Sequence, residues 1–171
     1  MQKETIALMM KYNKAANENM NGVIKSLSQA EWEKPLGGYF PSVRSLCSHI
    51  YICDVNYMRR FRNIRSFKTL GDSFFDTEYS NKETLFEDMG EYLAKRPDLD
   101  SRMSAFADEV TDADLAGILK YTGPGGNPVE RNFGGIVLHL LNHGTHHRGM
   151  ISIYLEILGK ENDFNSLARV L

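Results

Sequence analysis

Residues 139–150, "HLLNHGTHHRGM", carry four of the chain's five histidines. Imidazoles this close can ligate a metal, pass a proton or pack as core. His143 and His147 have the separation of the H-E-x-x-H zinc-protease helix, but Gly144 stands where that motif has its glutamate base. The metal pair is retained and the protease's general base is not. On a helix each residue advances about 100°, so with His143 at zero His147 falls at about 40°, one turn on. Phe133, Ile136, Leu140, Ile151, Tyr154 and Leu158 fall between roughly 20° and 80° on the same count. Both histidines therefore share the apolar stripe. His139 lies about 40° to the other side, at the stripe's edge, and His146 about 60° to that side, toward rim or solvent. Arg148 lies at about 140°, flanking the site from the opposite edge if it reaches it.

Two imidazoles on a core face cost about 1–3 kcal/mol each if left without partners. Either a tyrosine, a carboxylate or the other ring satisfies them, or they are ligands. His49 sits at the edge of an earlier helical stripe, with Cys53 one turn on. If the two helices are neighbours, His49, His143 and His147 converge. Three neutral imidazoles can bind a divalent first-row metal and leave coordination positions open. Cys53 and His49 are also spaced for a thiolate pair, but a mid-helix cysteine lacks the electropositive setting that lowers a thiol pKa. Cys53 is expected to pack in the core or around a metal. Asp54 is placed either to orient a ligand imidazole or to make a helix–helix hydrogen bond. Arg148 is placed either to grip a substrate carboxylate or phosphate, or to lie at a surface or dimer rim.

Helices must position these groups. Ile6, Met9, Met10, Ala16, Met20, Ile24 and Leu27 mark a first long helix. "EKPLGGYFPS" interrupts the pattern, and Ser42 can cap a second helix striped by Val43, Leu46, Ile50, Cys53, Tyr57, Phe61 and Ile64. Arg59, Arg60, Arg62 and Arg65 crowd its C-terminal end, as a phosphate patch or as complement to the helix dipole. "SFKTLGDSFFDTEYSN" reads as a loop anchored by aromatics. A third helix is predicted from near Lys82 to about Ala107, kinked or split at Pro97. Leu119–Tyr121 and Val129–Arg131 are placed to pair as a hairpin across a Gly/Pro-rich segment. Asn132 caps a last helix to about Leu158, with Gly159 as its stop. The fold class is all-α: a four-helix bundle with a long Gly/Pro-rich insertion before the last helix.

A chain of 171 residues suggests one domain, 1–171. With 42% hydrophobic residues it can build a core, and a net charge of −2 speaks against a nucleic-acid footprint. Cys47 and Cys53 are too close on one helix to bridge easily, and reduced thiols suit a cytoplasmic protein. "MQKETIALMMKYNKAANENM" has no apolar signal core, and no apolar run approaches the ~20 residues of a membrane span.

"SVRSLCSHI" and "HLLNHGTHHRGM" resemble the DinB-like (DinB/YfiT) family, whose pattern has a histidine in the second helix and a late N-H-x-x-H-H-R-G-Q. The resemblance covers nearly the whole chain. It implies an antiparallel four-helix bundle, often dimeric, with His49, His143 and His147 as ligands of nickel or zinc. It also implies a small-molecule substrate and a metal that activates a low-molecular-weight thiol, as in the S-transferases of this family. A metal with open positions could equally generate hydroxide from water, as in a hydrolase-like enzyme, and the alternative to either is a non-catalytic small-molecule-binding bundle with a structural metal. Met150 departs from the family's usual glutamine, which alters polarity beside the site.

Overall fold

The computed structural model describes residues 2–80 and 84–171. Its helices are α1 (Lys3–Ile24), α2 (Gln29–Glu33), α3 (Val43–Phe61), α4 (Met89–Glu109), α5 (Asp112–Ala116) and α6 (Phe133–Ile157). A hairpin of β1 (Ile118–Thr122) and β2 (Pro128–Asn132) precedes α6. The long helices α1, α3, α4 and α6 form the expected four-helix bundle. Packed pairs run α1–α4, α4–α3, α3–α6 and α6–α1, so α1 and α3 are diagonal.

Directions follow from the residues that meet. Lys3 bonds Asp112 and the Asp108 carbonyl, both at 2.6 Å, which sets α1 antiparallel to α4. His49 faces His143, and Phe61 faces Phe133, so α3 and α6 are antiparallel. Asp54 meets Arg96 and Phe61 meets Phe106, so α3 and α4 run the same way. Parallel neighbours need a return path about as long as the helix, about 28 Å for this one. Residues 62–80 and 84–88 lie along it. Phe67, Leu70, Phe75 and Phe86 bury their side chains along the way. Arg62 donates to the Leu70 carbonyl at 2.5 Å and the Asp72 carbonyl at 2.7 Å, and pairs with Asp76 at 2.8 Å. Arg65 pairs with Asp114 at 2.9 Å and Glu109 at 3.5 Å. The guanidinium groups of these two arginines therefore hold the crossover in place.

Local signals set most boundaries. Ser42 accepts from the Ser45 amide at 3.1 Å, and Asn132 from the Gly135 amide at 2.9 Å. The hairpin has the predicted pairing, Leu119 opposite Arg131 and Tyr121 opposite Val129. The third long helix differs. Lys82 lies outside the described residues, residues 84–88 are not helical, and the helix begins at Met89 behind an Asp88 cap. Leu85, inside the span predicted as helix, packs instead as part of the crossover. Pro97 does not split α4, which runs unbroken to Glu109. Two short helices escape periodicity because five residues hold too little of it; their capping boxes, Ser28 with Glu31 and Thr111 with Asp114, are the available signal.

A polar spine crosses the apolar core. Asp54 of α3 pairs with Arg96 of α4 at 2.6 Å, and Arg96 also pairs with Asp100. Asp100 accepts from Asn17 of α1 at 2.8 Å. Arg148 of α6 donates to Asn13 at 2.6 Å and Asn17 at 3.2 Å. All six side chains are buried. Two guanidinium and two carboxylate charges balance, and the chain of bonds fixes the mutual register of all four long helices.

Candidate metal centre

The register set by that spine brings α3 and α6 together at three imidazoles. Ring centroids lie 5.0 Å apart for His49–His143, 4.7 Å for His49–His147 and 4.3 Å for His143–His147. The Nε2 atoms of His49 and His143 are 3.1 Å apart. Two nitrogens each about 2.0–2.1 Å from one ion stand roughly 3.0–3.4 Å apart, so this spacing fits shared ligation. The donor atoms of His49, Cys53 and His143 all lie within 4.8 Å of one another. Cys53 Sγ is 3.7 Å from His49 Nε2. His147 joins through ring contact rather than through that tight donor group.

Electrostatics favour neutral ligands. Burial lowers the His49 pKa; it lowers His143 to about 4 and His147 to about 3, with the neighbouring histidines pushing the same way. All three rings are thus unprotonated donors at neutral pH. Burial, then the Asp54 charge, raises Cys53 to about 12, so without a cation it stays a thiol. The Nδ1 atoms of His143 and His147 are buried with no hydrogen-bond partner among the described residues. Ligation through Nε2 leaves those Nδ1 atoms as they are, so the case for a metal rests on the Nε2 spacing.

The loop before α3 closes one side. The Phe40 ring lies 4.3 Å from His49 and 5.4 Å from His147, centroid to centroid. The Tyr154 hydroxyl is within bonding distance of the Gly37 carbonyl and, at 2.8 Å, of the Phe40 carbonyl. Gly38 has φ +77°, and a Cβ there would stand 2.8 Å from that hydroxyl. Only glycine fits the turn. The other side is open: a cavity of about 250 Å³ borders His49, His143, Cys53, Tyr57, Arg60 and Tyr121. Phe40, Tyr57 and Tyr121 are invisible as site residues in the sequence, because nothing local connects a loop, a helix and a hairpin.

The remaining expectations divide. His139 and His146 are exposed, His139 lying against Tyr57 at 5.8 Å. Met150 packs half-buried against the core. Arg148 does not flank the cleft or a surface: it is fully buried, bonded to Asn13, Asn17 and Thr145 and stacked over Tyr12 at 5.3 Å. Its α6 face is inside because α1 packs there, a contact helical angles alone do not show. Asp54 orients no imidazole; its carboxylate goes to Arg96. Cys47 and Cys53 are both free thiols.

A bundle that gathers imidazoles from its second and last long helices beside an open cleft defines a class of helical proteins with a candidate metal centre. The chain belongs to the DinB family, which matches residues 1–165. It is 26% identical over 151 residues to Protein DinB of Bacillus subtilis (strain 168), covering 88% of this chain and 84% of that one. Among solved structures it is similar to YfiT from Bacillus subtilis, described as a probable metal-dependent hydrolase with an unusual four-helix bundle topology. That likeness has a TM-score of 0.68 at 16% identity, over 94% of this chain and 91% of YfiT. A DinB-like protein, YjoA, also from Bacillus subtilis, superposes with a TM-score of 0.59 at 15% identity, over 90% and 94%.

Proposed function

We propose that this protein binds one divalent metal ion, nickel or zinc, through His49, His143 and His147, and acts on a small molecule in the adjoining cleft. The observation that carries the reading is the contact of three neutral imidazoles from two helices, with the Nε2 atoms of His49 and His143 at a spacing that suits one shared ion. An ion held there would favour the deprotonated form of a bound thiol or water. Phe40 excludes solvent from one side of the rings and leaves the cleft as the approach. Among the described residues no carboxylate touches the cluster, since Asp54 is committed to Arg96. A thiol, whose proton is lost far more readily than that of water, suits a site without a base, so thiol S-transfer is the reaction proposed. The similarity to YfiT, a probable metal-dependent hydrolase, favours hydrolysis as a second reading. Whether the molecule is catalytic, works as a homodimer, or only stores a small molecule around a structural metal is decided by the same assays.

Metal content of protein purified without a histidine tag is the first test. Nickel- or cobalt-loaded protein should then develop thiolate charge-transfer bands with a millimolar thiol, and those bands should vanish in His143→Ala. Bands present before thiol addition and lost in Cys53→Ser would make Cys53 a ligand. A fully metallated protein that shows no band with any thiol removes the transferase reading. Turnover of an electrophile panel with thiol, against ester and amide hydrolysis without it, separates transfer from hydrolysis; neither activity would leave the binding module. Light scattering decides the dimer.

A further inference from the structure

The cleft beside the histidines continues. It shares Asn56, Arg60 and Tyr121 with a cavity of about 570 Å³ that extends past the end of α3. Arg60 stands at the junction. Its guanidinium carbon is 5.3 Å from the Tyr57 ring centroid and 5.1 Å from that of Tyr121, so rings from α3 and β1 both hold it. Its side chain is 17% exposed. Among the described residues its one ion pair is with Glu78, at 3.5 Å, and its guanidinium makes no closer polar contact. Glu78 is half exposed and sits closer to Arg59, at 3.1 Å. Arg62 and Arg65, by contrast, are fully engaged with the crossover and with α5.

We infer that Arg60 is the anion-recognition residue of this cleft, taking a carboxylate or phosphate group of the small molecule whose other end reaches His49 and His143. A guanidinium offers two parallel N–H donors that match either anion, and stacking on aromatic rings fixes its plane in advance. Glu78 holds the place loosely and can swing to solvent when an anion arrives. The sequence offered Arg148 and the arginine cluster that includes Arg60 as anion-binding groups; Arg148 is buried, and the two cavities meet at Arg60. Only the orientation of the molecule, with its other end at the histidines, rests on the metal reading above. Anion binding at Arg60 needs no metal.

The test uses metal-free protein. Succinate and inorganic phosphate are titrated against the Arg Nε–H and tyrosine ring signals by NMR, with uncharged succinamide as control. Arg60, Tyr57 and Tyr121 should shift saturably with at least one anion and not with succinamide. Arg60→Gln should weaken binding at least tenfold, and Arg60→Lys should fall between, lacking the planar fork. Glu78→Gln should tighten binding severalfold, a gain that a folding defect cannot produce. Equal affinity in Arg60→Gln, equal binding of succinamide, or no saturable binding of either anion overturns the inference. Those failures leave the metal reading standing, and a protein free of metal would leave a positive anion result standing.

Discussion

At the scale of the residue, the three ring contacts make separate demands on three side chains. His49→Ala, His143→Ala and His147→Ala should each abolish stoichiometric metal, measured by elemental analysis after dialysis. His146→Ala should keep it, since His146 is exposed. A His49→Ala protein that binds metal as tightly as its parent would sink the three-ligand site. Protonation gives a second handle. His143 and His147 titrate near 4 and 3 in the folded metal-free chain but at about 6.5 when unfolded. Between those values the unfolded state binds more protons, so stability rises with pH and is lost as pH falls below about 6.5. Metal-free protein should therefore melt progressively lower from about pH 6.5 to about pH 4.5, a window above most carboxylate titration. His147→Ala should flatten that slope; an unchanged slope would mean the rings do not carry it.

At the scale of the element, two features hold the rings where they meet. The polar spine ties α3 and α6 to α1 and α4, and removing one member of a buried pair leaves its partner's charge uncompensated. Asp54→Ala should cost about 3–5 kcal/mol in denaturant unfolding. The protein that remains folded should bind metal with unchanged stoichiometry, because Asp54 touches no imidazole. Loss of metal in a folded Asp54→Ala protein would restore Asp54 to the ligand environment. The loop carrying Phe40 depends on a left-handed backbone at Gly38 packed under Tyr154. Gly38→Ala should destabilise by about 1–3 kcal/mol. It should also raise the solvent accessibility of the site, read as faster labelling of Cys53 by a thiol reagent. An unaltered labelling rate would mean that Phe40 does not shield the cluster.

Across the whole molecule, the apolar core extends along all four long helices, and the candidate metal centre lies only at the α3–α6 seam. Folding should therefore not require the metal, unlike a zinc finger. Circular dichroism of metal-free protein should show a helical, cooperatively melting chain. Adding metal at about a hundredfold excess over its dissociation constant should add about 2.7 kcal/mol to stability. An unfolded metal-free protein would make the ion part of the core rather than of a site. No described helix is long and apolar enough to cross a membrane.

How much of this was legible follows from where each fact is encoded. Helical periodicity spans a few residues, so the four long helices, the inward pair His143 and His147, and the outward His146 can be read from spacing. Caps and strand pairing are also local, which is why Ser42, Asn132 and the hairpin register are recoverable. The start of α4 is obscured because apolar residues of the crossover continue a helical pattern without being helical. Residue spacing therefore yields the amphipathic faces and the imidazoles upon them. Which face meets which neighbour depends on contacts between residues far apart in the chain. That is why it takes the folded chain to show that Arg148 is sealed against α1, that Asp54 belongs to Arg96, and that Phe40 packs on the histidines while Arg60 lines their cleft.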